Sequence, residues 1–249
     1  MFVAEHRFVL PAHASALLDV AEETASARLR ALARAGYVTE RRVFAAEPLS
    51  YRVAQRGLDA AGSELGRPTG RVGAYDHEVG AAWLWLAARR GAFGPMRDVL
   101  SERRLRSHDA SVPGRDDPLG VRLGGTGAAG RERLHYPDLL LVADDGRRLA
   151  IELELTGKGR TRRDRILAGY AADPRIAAVV YVVHDARIAQ SIEGSARRLG
   201  IGGLVQIQQV ARATASPPDT QRAIARTSTR QAASARETGS ARQTSGVAR

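Results

Sequence analysis

The stretch HYPDLLLVADDGRRLAIELELTGKGR, residues 135–160, decides how the second half of the chain folds. Its first run, DLLLVA, is apolar on both faces, which is typical of a central strand in a sheet. Its second run, LAIELEL, alternates and places Glu152 and Glu154 on the face opposite to its leucines and isoleucine. Because Asp144-Asp145-Gly146 separates the two runs, the stretch predicts an antiparallel β-hairpin.

The length of the turn decides which side chains face each other across this hairpin. A two-residue loop would place Asp138 across from Leu153. A three-residue loop, which we favour, places Asp138 opposite Glu152, because Asp-Asp-Gly suits a type I turn followed by glycine in the left-handed region. In that register Asp138, Glu152 and Glu154 share one face, with directly opposed Cβ atoms about 5 Å apart.

Three clustered carboxylates indicate a cation site. They repel one another and are stable mainly when they are solvated or bound to a cation, and oxygen-rich sites suit Mg²⁺ or Mn²⁺. Such an ion would lower the pKa of a bound water and stabilise charge on a scissile phosphate. The spacing therefore predicts Asp138, Glu152 and Glu154 as metal ligands and catalytic residues. The alternative is that these acids only solvate a surface and pair with Arg147, Arg160 or Arg163.

The composition points to a polyanionic partner. Among 249 residues, 38 are basic and 27 acidic, so the net charge is +11, which favours nucleic acid before an anionic membrane. The absence of cysteine excludes disulfides, thiol catalysis and cysteine-based zinc sites. The apolar runs are too short to span a bilayer, and the first residues lack a secretory signal pattern. We therefore expect a cytoplasmic protein that does not contact a membrane.

The remaining patterns predict a mixed α+β chain of two folded parts and a tail. Residues 1–65 read as helices and a β-hairpin, with Gly36 ending the helix ETASARLRALARAG, in the layout of a winged helix-turn-helix. The apolar face of that helix is expected to comprise Ala25, Leu29, Leu32 and Ala33. Residues 74–210 predict the order α-β-β-β-α-β, a mixed sheet flanked by helices, with a Gly-rich loop over 107–133. Residues 211–249 have the composition of a disordered basic tail.

Two resemblances follow from these motifs. Pro137-Asp138, followed across the hairpin by Glu152-Leu153-Glu154 within this element order, resembles the PD-(D/E)XK nuclease superfamily, whose domain is restriction-endonuclease-like. Over about residues 12–210, the winged helix, Asp76-His77-Glu78, SERRLR, YPDLLLV, LAIELELT and ILAGYA together look like the replication-relaxation family. That family is found on actinobacterial plasmids and integrative elements and is associated with plasmid replication and mobilisation. The resemblance implies a DNA-handling protein with a nuclease-like second domain, and a relaxase or another replication protein as partner.

The resemblance also assigns roles to single residues. Asp138 and Glu152 match acidic residues of the superfamily motif, whereas Glu154 lies where that superfamily most often has lysine. Some active members carry glutamate there, and Lys158, the only lysine of the chain, could reach back towards the site. The alternative for Lys158 is an exposed side chain at a helix start. Glu78 resembles an additional acidic ligand of some members or simply stabilises the start of its helix, and His77 is expected to be structural.

Candidate DNA contacts fall in both parts. The recognition helix would present Thr24, Ser26, Arg28 and Arg30 to the major groove, and Arg41 and Arg42 on the wing would contact phosphates. In the second part, Arg160, Arg162, Arg163 and Arg165 at the start of a helix would clamp phosphates. The alternatives are a protein-binding winged helix and a solvated helix face.

Two other functions fit the same fold. The first is a DNA-binding accessory protein without catalysis, in which the absence of the motif lysine reflects the loss of catalytic activity. The second is a transcriptional regulator that uses the second part for ligand sensing or for dimerisation, so a homodimer is among the expected assemblies.

Overall fold

A computed structural model describes residues 2–69, 72–111, 116–127, 130 and 132–210. The predicted disordered basic tail, residues 211–249, lies outside the described residues. Within them the chain is a mixed α+β protein, as predicted. The elements of the N-terminal part are α1 (Phe2–Glu5), α2 (Pro11–Leu18), α3 (Glu22–Arg34), β1 (Val38–Arg41), β2 (Ser50–Val53) and α4 (Gln55–Ala60).

The second part begins after a short 3₁₀ turn, Val72–Ala74. Its elements are α5 (Tyr75–Arg89), β3 (Asp98–Ser101), α6 (Glu102–Ser111), β4 (Val121–Thr126), β5 (Glu132–His135), β6 (Leu139–Val142), β7 (Arg148–Glu154), α7 (Arg160–Ala172), β8 (Ile176–Val183), α8 (Ala186–Arg198) and β9 (Val205–Gln209). No helix in these described ranges combines the length and the apolar character needed to cross a membrane.

Helix α3 ends at the predicted glycine. Gly36 has φ 77°, and the Tyr37 N–H donates to the Leu32 carbonyl at 2.9 Å, which closes the helix with a left-handed C-terminal residue before β1. Ala25 and Leu29 are buried as predicted, but Leu32 is 40 % exposed. Because a turn takes 3.6 residues, Leu32 lies at the edge of the apolar stripe and misses the core.

The first nine residues join the two parts, which the sequence patterns did not indicate. Val9 pairs with Tyr51 of β2, its N–H donating at 2.9 Å and its carbonyl accepting at 2.8 Å. Phe2 and Val9 are also buried in the cluster that contains α5 and the central sheet. The Phe2 ring packs against Trp85 of α5, with centroids 5.3 Å apart. The N-terminal segment therefore belongs to both cores.

The central sheet has the strand order β3-β6-β7-β8-β9. Strands β3, β6 and β7 are antiparallel, whereas β7, β8 and β9 are parallel. Helix α5 packs on the face formed by Leu139, Leu141, Ile151, Leu153, Val180 and Val182. Helices α7 and α8 pack on the other face, formed by Leu140, Ala150, Val179, Tyr181 and Val183. Because side chains alternate along β7, Glu152 and Glu154 lie on the α7 side.

The β6–β7 hairpin has the predicted register. Leu139 pairs with Ile151, and the Ala143 N–H donates to the Arg147 carbonyl at 2.9 Å, so the loop comprises residues 144–146. Gly146 has φ 83°, the left-handed conformation that this type of loop requires. One residue before the Leu139 pair, Asp138 therefore lies opposite Glu152.

The prediction of an irregular loop over residues 107–133 is wrong at most of its described positions. Helix α6 extends to Ser111, and β4 and β5 form a separate antiparallel ribbon. The ribbon lies on α7 at Gly169, where a Cβ atom would be 2.8 Å from the Arg122 backbone oxygen. Glycines interrupt the side-chain alternation of this ribbon, so its strands leave little periodic signal in the sequence.

Candidate functional site

Three predicted carboxylates come together at one end of the β6–β7 pair. Glu152 and Glu154 are 3 % and 5 % exposed, and the Asp138 side chain is 12 % exposed. The Leu153 N–H donates to Asp138 Oδ2 at 2.7 Å. This bond lies just beyond the last paired residues of β6, so the Asp138 carboxylate caps the edge of the ladder and is fixed against β7.

Glu152 is held by two side chains that the sequence interpretation missed. His135, the last residue of β5, lies with Nε2 2.5 Å from Glu152 Oε1, and the Tyr170 hydroxyl of α7 donates to the same oxygen. Burial alone would raise the pKa of Glu152, but the charge and hydrogen bond of His135, with Lys158 and Tyr170, outweigh it and lower the pKa. Glu152 is therefore a buried carboxylate held in its ionised form.

Lys158 reaches back to the carboxylates from the loop that precedes α7. Its Nζ hydrogen-bonds Glu154 Oε2 and lies 3.8 Å from Glu152 Oε2, with the side chain 23 % exposed. Burial would lower the pKa of Lys158, but the two glutamates raise it above its ordinary value, so the ammonium is retained. Burial raises the pKa of Glu154, and Lys158 offsets only part of that effect. Lys158 is therefore not the exposed side chain at a helix start that was the alternative expectation.

His77 supplies a second cation on the other side of the cluster. Its Nε2 lies 3.2 Å from Asp138 Oδ2. Burial lowers the pKa of His77, but the hydrogen bond and charge of Asp138 outweigh this and raise it to about 9. The imidazole is therefore charged at neutral pH, and its contact with Asp138 goes beyond the purely structural role expected of it.

Glu78, the residue that resembles an additional acidic ligand, is bound by the N-terminal segment. Arg7 Nη1 lies 2.7 Å from Glu78 and 3.0 Å from Glu102 of α6. These groups line a small cleft, about 290 Å³ including space open to solvent, which Asp138 and His77 also line. Glu78 therefore neutralises Arg7 beside the carboxylate cluster.

The predicted DNA contacts of the N-terminal part are available at the surface. Thr24, Arg28 and Arg30 are exposed on α3, and Ser26 is half-buried. Glu22 and Glu23 in the first turn of α3 are also exposed, so this surface carries both signs of charge.

Two arginines of the predicted wing are also exposed. Arg41 ends β1, and Arg42 follows it. The Arg42 Nη1 donates to the carbonyls of Ala45 and Glu47 at 3.3 and 3.0 Å, and so it helps to hold the β1–β2 connection.

One of the arginines predicted at the start of α7 cannot contact phosphate. Arg160, Arg162 and Arg165 are exposed, but Arg163 is only 8 % exposed. Its Nε donates to Ser195 Oγ of α8 at 2.9 Å and its Nη1 to the Lys158 carbonyl at 3.1 Å. Helical periodicity places residue 163 on the buried face of α7, and its role is to anchor the loop that carries Lys158.

The carboxylate cluster has the donor chemistry of a Mg²⁺ or Mn²⁺ site, with the Lys158 ammonium standing where a cation would be attracted. No group of three or more His, Asp and Glu side chains in the described part of the chain is arranged to hold a metal ion. No family model, curated protein or solved structure matches the chain.

Proposed function

We propose that this chain is a DNA-binding protein of the replication-relaxation type, acting in plasmid or mobile-element replication or mobilisation with a relaxase or another replication protein. Its N-terminal part would dock on duplex DNA as a winged helix-turn-helix, and its second part would cleave or nick DNA as a PD-(D/E)XK-like domain. The observation that carries the proposal is the hairpin register, which sets Asp138 opposite Glu152 with Glu154 and Lys158 beside them.

The order of elements supports a winged helix. α1, the Val9–Tyr51 bridge, α2, α3 and the β1–β2 hairpin follow one another as helix, short strand, two helices and wing. Thr24, Arg28 and Arg30 are exposed side chains of α3. In a helix-turn-helix, the second helix of the pair lies in the major groove, and α3 would take that position.

The second part supports a nuclease-like domain. α5, β3, β6, β7, α7 and β8 give the order α-β-β-β-α-β, with α6 and the β4–β5 ribbon inserted after β3. The sheet changes from antiparallel to parallel at β7, the strand that carries Glu152 and Glu154. The exposed arginines at the start of α7 follow the Lys158 loop directly and would bind the DNA backbone.

Each residue of the cluster has a distinct part in this proposal. Asp138, Glu152 and Glu154 would hold Mg²⁺ or Mn²⁺, which when bound lowers the pKa of water and polarises a phosphodiester. The Leu153 amide and His77 orient Asp138, and His135 and Tyr170 orient Glu152. Lys158 supplies the positive charge that the superfamily motif would place at position 154 and can pair with a phosphate.

A second candidate function, DNA binding without cleavage, is favoured by one specific observation. Each carboxylate of the cluster already accepts a hydrogen bond or ion pair from the protein: Asp138 from His77, Glu152 from His135 and Glu154 from Lys158. A cluster neutralised in this way is stable without a metal ion, so the fold alone does not require catalysis.

Nicking of supercoiled plasmid in Mn²⁺ or Mg²⁺ tests the proposal. We expect the wild type to nick, the Asp138→Asn variant to be inactive, and Asp145→Asn to behave as the wild type, because Asp145 lies exposed in the turn of the same hairpin. Nicking that survives Asp138→Asn would refute the site. A wild type that binds duplex DNA without nicking it would support the second candidate function, DNA binding without cleavage.

A further inference from the structure

Lys158 closes the carboxylate cluster from the solvent side. Its side chain is 23 % exposed, whereas those of its partners Glu152 and Glu154 are 3 % and 5 % exposed. The Lys158 side chain is therefore more accessible to water than the carboxylates that it neutralises. Any cation or phosphate that approaches the two glutamates from this side meets Lys158 first.

The Lys158 backbone is anchored by a buried arginine, whereas its side chain is held only through its ammonium. Arg163, itself buried and bonded to Ser195, donates to the Lys158 carbonyl at 3.1 Å. Beyond that point the ammonium is carried by a flexible four-carbon stem, which can exchange one anionic partner for another without moving the loop. The start of α7, with Arg160 70 % exposed, offers a phosphate-binding surface next to it.

Lys158 and a divalent ion would compete for the same oxygens of this cluster. A divalent ion bound to Glu154 Oε2 and Glu152 Oε2 would take the oxygen to which Lys158 is bonded and the oxygen that Lys158 faces at 3.8 Å. Like charges this close repel strongly in a buried site. Divalent-ion binding is therefore coupled to the withdrawal of the ammonium, and a DNA phosphate is a partner that can receive it.

We propose that Lys158 is an exchangeable counter-ion: it neutralises Glu152 and Glu154 in the DNA-free protein and moves to a backbone phosphate when duplex DNA binds, which opens the carboxylates to a divalent cation. The proposal rests on the DNA-binding function above. It makes the cation site dependent on the substrate, so the protein alone binds divalent ions poorly and the protein–DNA complex binds them well.

The exchange is tested in the full-length protein by measuring Mn²⁺ binding as the loss of the electron paramagnetic resonance signal of free Mn²⁺. We expect Lys158→Met to bind Mn²⁺ about ten- to a hundredfold more tightly than the DNA-free wild type, the range for one charged hydrogen bond given up. A short duplex should produce a similar gain in the wild type and little further gain in Lys158→Met. Asp138→Asn with the same duplex corrects for Mn²⁺ bound by the DNA itself.

Arg160→Met is the matched control, because it removes the same charge two residues away from a side chain that pairs with Asp164 instead. In the absence of DNA, its Mn²⁺ affinity should stay within about twofold of the wild type if the effect needs a direct contact. An equal gain in Arg160→Met, or no gain in Lys158→Met, would overturn the exchange.

Binding of a fluorescent duplex, measured separately by anisotropy, keeps the two proposals apart. If no duplex binds, the proposed function fails, and so does the transfer of Lys158 to a DNA phosphate. The comparison of Lys158→Met with the wild type in the absence of DNA still tests whether Lys158 competes with Mn²⁺ for the carboxylates. If duplex binds but leaves Mn²⁺ affinity unchanged, the exchange is refuted and DNA binding stands. This last comparison uses wild-type protein only, so it does not depend on how a variant folds.

Discussion

The bond between Tyr170 and Glu152 gives a stability prediction that isolates one oxygen atom. Tyr170 is fully buried, and its hydroxyl donates to the Glu152 carboxylate. Tyr170→Phe removes that hydroxyl with almost no change in volume, so no large cavity forms. A hydrogen bond to a charged group contributes about 1.5–3 kcal/mol, and we expect the variant to lose about 2 kcal/mol of unfolding free energy at pH 7.

The loss should depend on pH. The folded protein lowers the pKa of Glu152 below its ordinary value of 4.5, so the ionised carboxylate contributes stability above that value and loses it as pH falls through the folded pKa. Without the Tyr170 hydroxyl the folded pKa moves back up. Below both values the carboxyl is neutral in each protein, and the difference should shrink to about 1 kcal/mol, that of an uncharged hydrogen bond.

Urea unfolding at steps from pH 7 downward measures both effects. With a slope of about 2 kcal/mol per molar urea, the midpoint at pH 7 should fall by about 1 M. Tyr37→Phe, which removes a hydroxyl from the N-terminal part, should leave the midpoint nearly unchanged. A loss in Tyr170→Phe below about 0.5 kcal/mol, or one that is the same at every pH, would refute the ionised Glu152 on which the site depends.

Three further predictions address other contacts. His77 has its pKa raised to about 9 from 6.5, so its stabilising contact with Asp138 is complete below pH 6.5 and disappears as pH rises through 9; unfolding titrations of His77→Gln should lose this alkaline dependence. Gly169→Ala places a Cβ 2.8 Å from the Arg122 carbonyl and should cost about 1–3 kcal/mol in thermal unfolding, whereas Gly202→Ala, which meets open space, should not. Arg41→Ala should weaken duplex binding in anisotropy titrations and reduce the slope of log affinity against log salt by about 1, and an unchanged slope would remove the β1–β2 wing from the DNA interface.

The hairpin could be predicted from sequence because its determinants are local. The Asp144-Asp145-Gly146 turn fixes the loop length, and the loop length fixes the register of every pair up to Asp138. The alternation of β7 then places Glu152 and Glu154 on one face. Neither inference needs any residue outside the hairpin, and both are confirmed.

The groups that orient the carboxylates could not be predicted in the same way. His77, His135 and Tyr170 reach the cluster from α5, from the β4–β5 ribbon and from α7, and no spacing in the sequence encodes those contacts. The β4–β5 ribbon could not be predicted because glycines interrupt its alternation. Helix α6 could not be predicted because its sequence has few apolar residues. Lys158 is close in sequence to Glu154, which is why its contact could at least be considered.

Arg163 is different, because the sequence did contain the signal for its burial. It lies three, four and seven residues before Ile166, Leu167 and Tyr170, which places all four side chains on one face of α7. Treating the arginines of this helix start as one basic group ignored that phase. The exposed Arg162 and Arg165 lie on other sides of the helix.

The burial of Phe2 and Val9 has a consequence for the order in which the protein can be made. These residues leave the ribosome well before α5, β6, β7 and Val182 of β8, with which they form one cluster. The N-terminal part therefore cannot complete its packing until most of the second part has been synthesised, and the chain lacks the usual advantage of an N-terminal unit that folds first. A nascent protein halted before β8 would lack Val180 and Val182, so the cluster around Phe2 and Val9 would remain incomplete.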